Sequence, residues 1–522
     1  MSAEGLETFH HAFYNNSIVF GSLCGTWQPH NDTEAGGDYA CVSAATASGW
    51  SDPSSVLLAC LRSVLLSSAL PGLLTLLSWL LWGLYYLSFR SNTSRLPLPP
   101  GSMGLPLIGE TLTLMLLGAS FYKSRRKLYG NVFKTHLLGC PIVRVVGASN
   151  VRKVLLGENT LVTSYWPASV RMMMGSTTIS MSSGESHRML RKGVAKAFNH
   201  EALSGYAPVM QQLVRDYLAR WCDLGYVKGH RECQRLTFAI AWRALTGLRH
   251  VRHADQEYLL DGLRARKDLL EKIENCIRER ESQPEVGKDA LSLLMRLGGE
   301  DRELTNEELK NVCLELLFAG HATASSASTS LFYFLAKNPP VVQRILEELE
   351  EHGLLDGDAD DLTYDILSKL TYAGHVVKEV LRLAPPIGAG FRRALKTFEL
   401  DGYQVPKGWN VVYSIRETQM FSDLFDKGDS FDPDRWQHLD NRSDETFHYL
   451  PFGRGARSCV GKEYARLLLK ILTVELTRSC SWTLLNEDVQ MRLLPVPHPT
   501  DGLPMHITFQ QSPNNRRRAA TV

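Results

Sequence analysis

The chain has little of what would assign it to several large protein classes. Its ten cysteines include no CxxC pair and no dense framework, so neither a disulfide-stapled scaffold nor a zinc ribbon is expected, and the thiols read as reduced. A formal charge of +2 across 522 residues leaves no electrostatic footprint for nucleic acid. There is no internal repeat. The first 55 residues lack lysine and arginine altogether, while carrying Glu4, Glu7, Asp32, Glu34, Asp38 and Asp52. Polar and rich in Gly, Ser, Thr and Asn, residues 1–55 are expected to form a poorly ordered lead. Against these absences stand 44% hydrophobic and 21% charged residues, enough to build a sizeable core.

One apolar run, Ser63 to Phe89, is long enough to matter for a membrane, since roughly 20 apolar residues span a bilayer. Trp79, Trp82, Tyr85 and Tyr86 suit one interface, Arg62 can snorkel at the other end, and Arg90 and Arg95 follow. The contrast between the acidic lead and these arginines predicts a single-pass anchor over residues 56–90, with residues 1–55 lumenal and the C-terminal body cytosolic. Asn15 and Asn31 would then be lumenal glycosylation sequons. The competing readings are a cleaved signal peptide and a buried core helix. The length of the lead and the lack of a small-residue cleavage site argue against the first. Residues 91–101, with Leu96-Pro-Leu-Pro-Pro-Gly101, are expected to be a semi-rigid spacer. Residues 102–510 are expected to be the globular body, with predominantly helical patterns and a few short strands such as Val143–Val146 and Val411–Tyr413. Residues 511–522 read as a polar basic tail.

The segment richest in chemistry is Phe452-Gly-Arg-Gly455-Ala-Arg457-Ser-Cys459-Val-Gly461, followed by an amphipathic helical pattern through Arg478. It satisfies FxxGxRxCxG at every fixed position. A thiolate that binds haem iron must stay shielded yet negative, so it wants backbone N–H donors and the start of a helix beneath it. Gly455 and Gly461 are expected to let the backbone approach a porphyrin, and Arg457 to pair with a propionate through its planar fork. The alternative is a structural cysteine in a glycine-rich turn.

Three other stretches concur. Glu379 and Arg382 share a helix face at i, i+3, and Arg435, in Phe431-Asp-Pro-Asp-Arg435-Trp436, offers a third member for a buried ion network that holds the cysteine loop. Leu304-Thr305-Asn-Glu-Glu308 is a capping box that starts a long helix ending before Pro339-Pro340. In its middle, Gly320 and Thr323 are expected to open a pocket for dioxygen and a proton-relaying water. His187-Arg-Met-Leu-Arg191 is a candidate second clamp on the propionates; by itself it is a basic helix face.

With these residues in place, the chain from Leu96 to Pro504 resembles the cytochrome P-450 superfamily, and within it the vertebrate retinoic acid hydroxylases. The likeness rests on Leu96-Pro-Leu-Pro-Pro-Gly-Ser-Met-Gly, Gly130-Asn-Val-Phe-Lys-Thr-His-Leu-Leu-Gly139, Tyr165-Trp-Pro-Ala-Ser-Val-Arg171, Phe391 through Tyr403, Val405-Pro-Lys-Gly-Trp-Asn and Tyr413-Ser-Ile-Arg416. The resemblance implies a mostly α body with a small β region, haem b buried between two helices, and an N-terminal membrane anchor in the endoplasmic reticulum. It implies hydroxylation of all-trans-retinoic acid, mainly at ring carbon four, with O2 and NADPH electrons delivered by a flavoprotein reductase to a monomer. Residue by residue, it gives Cys459 as the iron ligand in the loop begun by Phe452, and Thr323 and Gly320 at the oxygen site. It gives Arg457, Arg392, His187 and Arg191 at the propionates, and Trp166, Phe318, Ile387, Gly388 and Phe391 around the substrate. Arg144 is the expected partner of the retinoid carboxylate, and Lys192, Lys196, Arg454, Lys462 and Arg466 would face the reductase.

The chain also departs from the pattern. Ala322 stands where the superfamily carries an acid, Ala324 where it carries a second threonine, and Cys140 where relatives carry an arginine. The segment between Leu248 and Ala265 is shorter than in relatives, in the region that covers the substrate. Two other functions therefore remain open: oxidation of a fatty acid or sterol, and haem-dependent lipid binding without turnover.

Overall fold

The computed structural model describes residues 71–85, 94–166, 168–175, 177–247, 263–282, 289–296, 304–355, 362–439, 447–492 and 496–510. The lead with Asn15 and Asn31, the basic tail and the core of the shortened segment lie outside the described residues. Of the expected anchor, residues 71–85 are described and helical. Leu73, Leu76, Leu80 and Leu84 are exposed there, while Trp82 sets its ring edge-on to His136 at 4.9 Å. Among the described residues no helix is long and apolar enough to cross a membrane.

The apolar periodicity of the body resolves into helices, of which seven position the site: α1 Gly184–Lys196, α2 His200–Leu224, α3 Gly229–Thr246, α4 Leu263–Ser282, α5 Asn306–Ala336, α6 Thr371–Leu383 and α7 Lys462–Ser479. α5 starts as its sequence requires: the Thr305 hydroxyl accepts from Glu308 N–H at 3.2 Å while the Glu308 carboxylate accepts from Thr305 N–H at 3.0 Å, satisfying two donors the helix leaves open. The helix runs through the centre of the main core, where Leu331, Phe332 and Leu335 are fully buried with Trp221, Leu472 and Val474.

A five-stranded sheet stands beside the helices. Its strands are β1 Val132–Leu137, β2 Cys140–Val145, β3 Val162–Ser164, β4 Ala389–Ala394 and β5 Asn410–Ser414, in the order β1-β2-β5-β4-β3. β2 and β5 run parallel with Val143 against Val411, and β4 runs antiparallel to β5 with Phe391 against Val412. Buried Val143, Val145, Val411 and Trp409 form a second core on this sheet.

The proline-rich stretch is not a free spacer. Pro100 O accepts from Lys134 N–H at 2.8 Å, Pro99 O from the Lys134 ammonium at 2.8 Å, and Pro97 O from Gln404 N–H at 2.9 Å. Prolines have no N–H to give but keep their carbonyls, so residues 97–100 are strapped through acceptors to Lys134 of β1 and to Gln404 of a separate hairpin. Gly101 closes the strap at φ +139°, where an added Cβ would lie 2.0 Å from Lys134 O. Gly101→Ala should therefore cost on the order of 1–3 kcal/mol, read as a lowered melting temperature.

Candidate functional site

The cysteine loop is built by backbone bonds before any side chain acts. Gly453 N–H donates to Leu450 O at 2.9 Å and Cys459 N–H to Phe452 O at 2.8 Å, closing a loop whose end is the first turn of α7. Gly455 sits at φ +74°, and a Cβ there would meet Leu155 O at 3.0 Å, so glycine is required by the turn and its close neighbour. Gly461 has no such need: its nearest neighbour would be Phe198 Cε1 at an ordinary 3.8 Å.

Cys459 lies deep among protein atoms and its residue is nonetheless exposed, which places it on the wall of a hollow. Burial pushes its thiol pKa up. The Gly461 N–H and the charges of Arg191, Lys462 and Arg466 pull it down, the set of donors and cations a thiolate would need. Arg191 Nη2 reaches the same loop, donating to Ser458 Oγ at 3.1 Å.

Across the hollow runs α5. Residues 311–317 and 324–332 are buried, but Phe318 and Ala319 are exposed and residues 320–323 half-buried. An exposed patch in the middle of a buried helix faces an internal space. Ala327, one turn further on, packs with Val377, Leu381, Leu469 and Phe452, which puts this patch beside the cysteine loop. The Thr323 hydroxyl donates to Ala319 O at 2.6 Å. A Cβ at Gly320 would lie at ordinary distances from Leu245 Cδ1 (3.7 Å) and Ala241 Cβ (3.9 Å) on α3. Exposed Ile387 and Phe391 supply further apolar surface, and Gly388 O holds the turn by accepting from Ile415 N–H at 2.9 Å. Trp166 buries its Nε1 without an acceptor.

The structure brings Glu379, Arg382 and Arg435 together. Arg382 Nε and Nη2 each donate to the Glu379 carboxylate at 2.9 Å, Arg435 Nε donates at 3.0 Å, and Trp436 Nε1 and Asp432 N–H add bonds of 3.0 Å each. A relay that the sequence did not announce connects this network to the cysteine loop. Gln419, fully buried, donates to Arg382 O at 2.8 Å and accepts from Leu450 N–H at 2.7 Å.

The expected propionate group divides. Arg457 and Arg392 both meet Glu158, a residue sequence reasoning missed, with Arg457 Nε 3.1 Å from Oε1 and Arg392 Nε 2.8 Å from Oε2. His187 lies near them, its Nε2 buried without a partner. Its pKa is lowered to about 4 by burial and by Arg457 and Arg191, so it is neutral at pH 7. Arg144 is placed elsewhere: its Nη2 donates to Ser414 Oγ and to Glu417 Oε2, each at 2.9 Å, and its guanidinium lies 4.3 Å from the Tyr122 ring centroid. The carboxylate expected from a ligand is already supplied to Arg144 by Glu417. On the outer side of the cysteine loop, a recess of about 170 Å³ is lined by Tyr449, Phe452, Arg454, Lys462 and Arg466 among others.

The sequence profile described as Cytochrome P450 matches residues 99–242 and 251–500. The chain belongs to the cytochrome P450 family. It is 44% identical over 478 residues to cytochrome P450 26A1 of Gallus gallus, covering 85% of this chain and 97% of that one. It is likewise 44% identical over 480 residues to cytochrome P450 26B1 of Homo sapiens, covering 86% and 92%. Among solved structures, that of retinoic acid bound cyanobacterial CYP120A1 superposes with a TM-score of 0.73 at 33% identity, covering 80% of this chain and all of that one.

Family membership implies haem iron, dioxygen and reductase-supplied electrons, and the residues present fit that group. A donor-supported cysteine faces the hollow, and Arg457 Nη2 and His187 Nε2 are buried polar atoms with no protein partner, suited to an anionic edge. Bound there, haem would supply oxygen activation, which a thiolate ligand favours. The loop bonds would hold the sulfur in place, and the uncovered apolar surface of α5 and β4 and the Thr323 hydroxyl would be the groups available to meet a substrate and oxygen.

Glu379→Gln should leave two buried guanidiniums short of a charge and cost on the order of 3–5 kcal/mol, seen as a lower melting temperature and a smaller haem-loaded fraction. His321, beside Gly320, bonds Thr237 Oγ1 at 3.2 Å, and burial lowers its pKa to about 4. Its folded value lies below its unfolded one, so stability is present above pH ~6.5 and is lost toward pH 4, as the unfolded chain takes the proton first. His321→Gln should flatten that acid limb in pH-dependent denaturant titrations.

Proposed function

We propose that this cytochrome P450 hydroxylates all-trans-retinoic acid, mainly at C4 of the ring, with NADPH electrons passed through a flavoprotein reductase. What supports the reading is that Phe318, on the exposed patch of α5, and Ile387 and Phe391, just before and on β4, are large apolar side chains left uncovered by the protein. A polyene suits such a surface. The similar solved structure, which holds retinoic acid, supports the same ligand class. Arg144 carries no part of this reading, because Glu417 already pairs with it. The cationic recess of Arg454, Lys462 and Arg466 supports docking of an acidic reductase surface. The apolar run around residues 71–85 supports attachment to the endoplasmic reticulum membrane, with a monomeric body in the cytosol.

Reduced, carbon monoxide-treated protein should show the thiolate-type Soret band, and Cys459→Ala should lose it. All-trans-retinoic acid should displace the iron's water with an affinity on the order of micromolar. A band that responds to fatty acids or sterols but not to retinoic acid would move the substrate to those lipids and leave the haem assignment standing.

A further inference from the structure

Glu158 follows the helix Ala148–Leu156 and its Gly157 cap, far in sequence from both arginines it meets. Its carboxylate is 4% exposed. Oε1 accepts from Arg457 Nε at 3.1 Å and from Ser164 N–H at 3.1 Å, the second bond fixing the carboxylate to the end of β3. Oε2 lies 2.8 Å from Arg392 Nε, close but not aligned as a hydrogen bond, so this contact is an ion pair. The outer nitrogens are then directed by other acceptors: Arg457 Nη1 donates to Ile179 O at 3.2 Å, and Arg392 Nη1 to Phe391 O at 2.8 Å. Arg392 also lies 5.3 Å from the Tyr413 ring centroid.

Two features show that this cluster is unfinished. One carboxylate between two guanidiniums leaves a net positive charge, and buried charge is costly unless an anion balances it. Arg457 Nη2 is buried with no partner, as is the nearby His187 Nε2. The carboxylate thus occupies the Nε edges and leaves an outer guanidinium N–H and a neutral imidazole for a further anion.

We propose that Glu158 is a positioning residue for the haem carboxylates, holding Arg392 and Arg457 by their Nε groups so that their remaining donors, with His187, meet the acidic edge of the haem. This rests on the haem-thiolate reading of the site. Glu158 also adds a negative charge near the haem, which disfavours the reduced iron.

The test uses the full-length, haem-loaded protein and measures haem transfer to excess apomyoglobin together with the ferric–ferrous potential. Glu158→Gln should release haem about 10–100-fold faster, the range for loss of a residue that orients a ligand, and should shift the potential positive. The thiolate-type carbon monoxide band should keep its position, because the Cys459 N–H bond to Phe452 O and the Glu379 network still hold the sulfur's end of the loop when Glu158 is changed. Since Glu158 acts through Arg457, adding Arg457→Lys should raise haem loss by less than the product of the single effects. Parent-like haem loss and potential in Glu158→Gln, or fully multiplicative effects in the double variant, would overturn the proposal. If Glu158→Gln does not fold, Glu158→Asp decides. It keeps the charge on a shorter arm and should speed haem loss; parent-like loss overturns the proposal. A parent protein without the thiolate band overturns the haem reading and this proposal with it, whereas a normal band with parent-like loss in the variants overturns this proposal alone.

Discussion

The carboxylate of Glu379 is the constraint on which the catalytic end of the molecule depends. It sits at zero exposure with two guanidiniums, an indole and a backbone amide around it. In that setting the charge survives because every lone pair is used, and removing one partner strands the others. Arg382 spends its remaining donors on Gly428 O at 2.6 Å and Ser430 O at 2.9 Å, and Arg435 gives Nη1 to Asp426 O at 2.7 Å. The network therefore knits the end of α6 to the loop before Trp436. Gln419 and Tyr449, whose hydroxyl reaches Lys378 O at 3.2 Å, carry that rigidity to Leu450 and so to Cys459.

A second buried carboxylate, Glu158, does the equivalent job at the other edge of the hollow. The two sites share a logic: one acid gathers two arginines that lie apart in sequence, and each ties a loop near Cys459 to a regular element. They differ in completeness. Glu379 has its donors in aligned geometry, whereas around Glu158 a donor is left over. The first arrangement reads as scaffold and the second as a binding edge.

Local order was largely legible in the sequence. The capping box at Thr305, two short valine-rich strands and the i, i+3 pair Glu379–Arg382 all follow from spacing, and the cysteine motif marks its own loop. What escaped was pairing across the chain. Glu158 and Arg457 are 299 residues apart, Arg144 and Glu417 are 273 apart, and no periodicity links such partners. For the same reason Arg144 looked available for a ligand, whereas Glu417, in the short helix after β5, is paired with it. Composition tells that α5 lacks a side chain at Gly320, while only packing tells that Leu245 and Ala241 of α3 lie on that side.

The strap of residues 96–101 bears on where the chain can be shortened without loss of the fold. Its carbonyls are acceptors for Lys134 on β1 and for Gln404, whose side chain also reaches Leu96 O in the interior. Trimming to Ser102 would take those acceptors away and leave the donors of Lys134 and Gln404 without them, so the natural boundary of the folded unit lies ahead of Leu96, on the N-terminal side of the prolines.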